Sequence, residues 1–93
     1  MAERSVTVAS SVGLHARPAT LFTQAAAATG VAVTIAKDGG EAVNAASILA
    51  VLGLGVSHGE TVTLQADGDG ADTALDSLVD LLSQDLDADE PAT

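Results

Sequence analysis

Thr61-Val62-Thr63-Leu64-Gln65-Ala66-Asp67-Gly68-Asp69-Gly70-Ala71 is the stretch on which the fold turns. Its first six residues alternate polar and apolar, the period-two pattern of a strand with one buried face. Asp67-Gly68-Asp69-Gly70 has the composition of a tight turn. From Ala71 the apolar spacing changes: Leu75, Leu78, Val79, Leu82 and Leu86 recur at helical intervals. Asp72 and Asp76 fall in the first turns of that helix, where negative charge suits the positive end of the helix dipole.

The same two periods alternate through the rest of the chain. Immediately upstream, Ser47 to about Leu54 is expected to be a short helix, capped by Ser47 and ended by Gly53 and Gly55. The apolar run from Ile48 to Val56 also fits a buried strand, and the capping residue favours the helix. Val31 to Ala36 reads as a strand, with Val31, Val33 and Ile35 on one face. Lys37-Asp38-Gly39-Gly40 is a turn and Glu41-Ala42-Val43-Asn44 a short return strand, so the two form a hairpin. Ala16 to Thr29 reads as an alanine-rich helix with Phe22, Ala25 and Ala26 on one side and Gly30 as its stop. Ser5-Val6-Thr7-Val8 alternates as a strand. The order βαββαβα predicts an α+β domain, with three helices on one face of a four-stranded antiparallel sheet. There is no internal repeat and no linker. One domain is expected over residues 1–86, followed by an acidic, disordered tail over 87–93.

With 93 residues the chain holds one domain. A domain of this size buries roughly 60–65% of its unfolded surface, which leaves little for a deep substrate cavity. Phe22 is the one aromatic residue, so the core must be built from Val, Leu, Ile and Ala. The formal charge is −10, with 13 acids against Arg4, Arg17 and Lys37. Nucleic-acid phosphates and anionic membrane surfaces would repel such a chain. There is no cysteine, and Met1-Ala2-Glu3-Arg4-Ser5 lacks the apolar core of a secretory signal. The run from Ile48 to Val56 is less than half of the ~20 residues that span a bilayer. A soluble, cytoplasmic monomer without membrane insertion is expected.

The chemistry is concentrated in Gly13-Leu14-His15-Ala16-Arg17-Pro18-Ala19. His15 stands where loop becomes helix. Pro18 falls in the first helical turn, where its missing N–H costs no intrahelical bond. The free amides of Ala16 and Arg17 make the helix end an anion site, and the Arg17 guanidinium adds a fork suited to phosphate oxygens. A helix N-terminus disfavours the imidazolium, keeping the ring neutral and nucleophilic. The pattern therefore suits a phosphohistidine, with the amides and Arg17 taking up charge on the phosphoryl group. Taken alone, it fits equally a capping histidine, or a module that binds a free anion without a covalent adduct.

Three stretches carry a resemblance. These are Gly-Leu-His-Ala-Arg-Pro-Ala-Thr at 13 to 20, Asn44-Ala45-Ala46-Ser47-Ile48-Leu49 followed by Leu54-Gly55, and Gly59-Glu60-Thr61-Val62-Thr63-Leu64. Together they resemble the histidine-containing phosphocarrier (HPr) family of the bacterial phosphoenolpyruvate-dependent sugar phosphotransferase system, over about residues 3 to 86. The resemblance implies an open-faced sandwich. It implies that His15 is phosphorylated through Nδ1 and that Arg17 contacts the phosphoryl group. It further implies enzyme I as donor, sugar-specific IIA domains as acceptors, and a stoichiometric carrier without cofactor, not an enzyme.

Ser47 and its followers have two readings each. Ser47 is a helix cap; the resemblance adds regulatory phosphorylation by an HPr kinase, although Ala46 stands where many relatives carry lysine. Ile48, Leu49 and Leu52 cannot all face inward on a short helix. They are either core, as Val51 and Leu54 are expected to be, or, as the family implies, an exposed patch that docks on enzyme I and IIA domains.

Other signals fail on their spacing. His58 lies in a Ser-His-Gly turn, and with His15 it lacks the further ligands a metal needs. Asp67-x-Asp69 lacks the glycine and glutamate of a calcium loop, because Asp72 and Leu78 occupy those positions. Gly68-x-Gly70 lacks the context of a dinucleotide site. The alternatives to a sugar-system carrier are an HPr-like carrier of a nitrogen-related or dihydroxyacetone-kinase-linked pathway, and a non-carrying regulatory binding protein.

Overall fold

Seven elements follow one another in the expected order: β1 (Ala2–Thr7), α1 (Ala16–Ala28), β2 (Val33–Lys37), β3 (Val43–Asn44), α2 (Ile48–Gly53), β4 (Thr61–Ala66) and α3 (Ala71–Leu82). They are seen in a computed structural model whose described residues are 2–9, 16–37 and 39–83, the side chains of residues 16 and 17 excepted. The sequence-predicted tail lies outside the described residues. No described helix is long and apolar enough to cross a membrane.

The four strands form one antiparallel sheet in the order β1-β4-β2-β3. β4 is therefore central, pairing along its length with β1 (Val6↔Val62) and with β2 (Ile35↔Leu64). The period-two pattern resolves as expected: Val6, Val33, Ile35, Val62, Leu64 and Ala66 are buried beneath the helices. The opposite face carries Ser5 against Thr63 and Thr7 against Thr61, hydroxyl to hydroxyl at 3.4 and 3.3 Å. One face is thus packed and the other polar, the open-faced sandwich.

Phe22 of α1 and Leu75, Leu78 and Leu82 of α3 fill the space above the sheet and are almost wholly buried. α1 packs on both α2 and α3. Thr23, buried on the same face of α1, donates its hydroxyl proton to the Thr20 carbonyl at 3.1 Å, so no polar group is left unpaired there. The turn before α3 needs its glycine: Gly70 caps the helix at φ +83°, a left-handed backbone that side chains rarely adopt.

The bounds of β1, β2 and β3 differ from the sequence expectation. β1 begins at Ala2, not Ser5, because Arg4 occupies a core-facing slot opposite Leu64 and hides the alternation. Its stem lies against the sheet edge, while its guanidinium reaches Asp72 (3.1 Å) and Asp76 (3.2 Å) on α3. β3 shrinks to Val43–Asn44, because the turn closes from Gly40 N–H to the Lys37 carbonyl and leaves Glu41 and Ala42 exposed beside the ladder. β2 runs from Val33 to Lys37, with Val31 half-buried before it.

Candidate functional site

α1 starts at Ala16, so the backbone of Ala16 and Arg17 forms its first turn and has no carbonyl four residues back to pair with. Pro18 is the third helical residue and is fully buried, anchoring this end of the helix in the core. No acidic residue stands in the first turn to compete for those amides. His15 and the side chain of Arg17 lie outside the described residues.

Val8 and Ala9, seven and six residues before His15, are fixed by backbone hydrogen bonds. Val8 N–H donates to the Glu60 carbonyl at 2.9 Å, the Val8 carbonyl accepts from Gly59 N–H at 3.0 Å, and Ala9 N–H donates to the Leu82 carbonyl at 3.0 Å. Val8 itself is almost fully buried.

α2 is the second part of the site. Asn44 Oδ1 accepts from Ala46 N–H at 2.9 Å, and Ser47 N–H donates to the Asn44 carbonyl at 3.1 Å, bending the chain out of β3. Ser47 has extended backbone angles, and its Oγ accepts from Ala50 N–H at 3.3 Å, the geometry of a helix cap. Such a cap contributes about 1 kcal/mol. Val51 is fully buried and Leu54 half-buried against the core. Ile48, Leu49 and Leu52 are the large apolar side chains left exposed among the described residues, at 37%, 80% and 36%. A six-residue helix with one inward face leaves those three outside.

Sequence reading missed the ties that hold α2 in place. Lys37 Nζ donates to the Gly55 carbonyl at 3.3 Å and lies 3.4 Å from Glu60 Oε2. Glu60 Oε1 accepts from Ser57 N–H at 2.7 Å. That backbone donor holds the Glu60 carboxyl below its ordinary range; partial burial opposes it, and Lys37 lowers it further. No sequence signal marks this cluster, because Lys37 and Glu60 each look like an ordinary solvated charge beside a glycine turn.

His58 sits exposed in the turn before β4, and no group of three or more metal-ligating side chains occurs among the described residues. Surface depressions lie beside Ala32, Thr34, Ala42 and Gln65, of about 240 Å³, and beside Thr29, Gly70, Thr73 and Ser77, of about 370 Å³. The exposed apolar side chains of α2 suit contact with another protein.

Comparison with known proteins agrees. Residues 2–84 match the family described as PTS HPr component phosphorylation site. The chain is 57% identical over 86 residues to the phosphocarrier protein HPr of Streptomyces coelicolor, covering 92% of each. It is 51% identical to that of Haloferax volcanii over 87% of this chain and 92% of the relative. Among solved structures, HPr-C-His from Thermoanaerobacter tengcongensis superposes with a TM-score of 0.83 at 43% identity, covering 88% of this chain and 91% of that one. In sequence and in fold, the chain belongs to the HPr family of phosphotransferase-system phosphocarriers.

Proposed function

We propose that this protein accepts a phosphoryl group on His15 from enzyme I and passes it to sugar-specific IIA domains. The observation that carries the reading is the run Gly13 to Thr20 leading into a helix that starts at Ala16 and is anchored by the buried Pro18. In the forward step the neutral imidazole Nδ1 attacks phosphorus, a P–N bond to His15 forms and the bond from phosphorus to the donor breaks. The amides of Ala16 and Arg17 at the start of α1 and the Arg17 guanidinium take up charge on the equatorial oxygens. In the return step the acceptor's nucleophile attacks phosphorus and His15 leaves as the neutral ring. The chain is a stoichiometric intermediate in this scheme, not an enzyme, and uses no cofactor.

Ile48, Leu49 and Leu52 are the surface by which donor and acceptors dock. Their exposure on a helix with a single inward residue supports this role. Ser47, at the edge of that surface, is the candidate for regulatory phosphorylation by an HPr kinase: a phosphate there adds negative charge beside the patch and would repel acidic partners. The working domain is residues 1–86, with 87–93 as a tail beyond it.

The deciding experiment is intact mass after incubation with enzyme I, magnesium and phosphoenolpyruvate, run beside His15→Ala. One added phosphoryl mass, acid-labile and absent from the variant, is expected. No gain from a donor that phosphorylates another HPr would overturn the reading, and would point to the nitrogen-related or dihydroxyacetone-linked donors or to a regulatory protein.

A further inference from the structure

Residues 55–60, between α2 and β4, are bridged by one pair of opposite charges. Gly55 (φ +67°) and Gly59 (φ +84°) bend the chain at either end, and Val56 between them is fully buried. Lys37, the last residue of β2, reaches across to both ends. Its Nζ donates to the Gly55 carbonyl at the exit of α2 and pairs with the Glu60 carboxylate at the entry to β4. Glu60 uses its other oxygen to hold Ser57 N–H from within the loop. The same loop fastens the exit of β1, through Gly59 N–H and the Glu60 carbonyl to the two backbone groups of Val8. Beyond Val8 the chain runs to His15. One ion pair therefore stands between the helix that bears the apolar patch and the strand exit that leads to the histidine.

Each of the two side chains is about one-third exposed, so the pair contributes little to global stability. It spans the two positive-φ glycines, Gly55 and Gly59, at the ends of the loop. We propose that Lys37 and Glu60 are positioning residues for phosphoryl transfer: together they fix the exit of α2 relative to the exit of β1, so that docking patch and histidine segment meet a partner in one arrangement. This role rests on the carrier reading given above.

The test is steady-state transfer from enzyme I and phosphoenolpyruvate, with this chain as the varied substrate. Lys37→Met keeps the aliphatic stem and removes the charge. Glu60→Gln keeps an oxygen for Ser57 N–H. Each is expected to raise KM about five-fold with kcat changed less than about two-fold, and the double variant to be no worse than the worse single one. Lys37→Arg restores a KM near that of the wild type. A loss of global stability alone would move neither constant while the chain stays folded. Unchanged KM in both single variants, or effects that multiply in the double variant, would overturn the proposal.

Amide exchange supplies a readout that needs no donor. In Lys37→Met the Ser57 and Gly59 amides should exchange about five-fold faster while Ala74 in α3 is unaffected. If the wild type takes up no phosphoryl group, the carrier reading fails and the transfer role falls with it. If instead transfer proceeds normally and these amides do not change, the pairing itself is wrong.

Discussion

Glu60 is a residue whose protonation should cost the fold stability. Its carboxyl is held below the ordinary value of 4.5, chiefly by the Ser57 N–H and then, against partial burial, by Lys37. A depressed folded value means that the carboxylate stabilises the fold above 4.5, and that this contribution disappears as pH falls through the lower, folded value. Wild type should therefore melt above Glu60→Gln at neutral pH, and the gap should close on acidification. Parallel thermal melts from neutral pH to well below 4.5 check this, and a gap that persists in acid would contradict it. Ser47 shows a different economy: one hydroxyl is both the cap of α2 and the candidate phosphoryl acceptor, so modifying it exchanges a neutral acceptor for a charged one at the same helix end.

Among the elements, α2 depends most on its surroundings. Six residues are too few for a stable isolated helix, so Ser47, Val51 and the Lys37 bridge hold it. Leu49, the most exposed of its apolar side chains, contributes little to the core, and on the proposed reading it contributes to docking. Leu49→Asp should slow transfer from enzyme I at least about ten-fold, as loss of a docking anchor does. It should leave the unfolding free energy within about 0.5 kcal/mol. Normal transfer by this variant would remove the patch from the mechanism. Much of this element plan was legible beforehand, because Val62, Leu64, Leu75 and Leu78 keep strict periods and Ser47 and Gly70 mark helix starts. The strand order and the start of β1 were not, since Arg4 disguises an inward position as a polar one. Nor were the ion pairs, which join residues far apart in the chain whose charges carry no address. For His15 and Arg17, the motif from Gly13 to Thr20 supplied the assignment, and the geometry adds the start of α1 and the fixed backbone of Val8 and Ala9.

At the scale of the whole molecule, charge is lopsided. A net charge of −10 on 93 residues repels itself, whereas Arg4 and Lys37 hold exposed or half-exposed pairs that water screens. Repulsion is the larger effect, so raising salt from low ionic strength to about 0.15 M should raise Tm by a few degrees. A Tm that falls with salt in a calorimetric scan would show that the attractive pairs dominate instead. The inward charge of Arg4 on the edge strand β1 also discourages a second chain from adding there. The central place of β4 has a consequence in time. β1 leaves the ribosome well before β4, yet Ala2 pairs with Ala66 and Thr7 with Thr61. Until Thr61 to Ala66 have been translated, the nascent chain has two helices and the local β2–β3 hairpin but no sheet for them to cover. Folding of the domain is therefore a late event in its own synthesis, and a chain truncated before Thr61 has nothing on which its first strand can close.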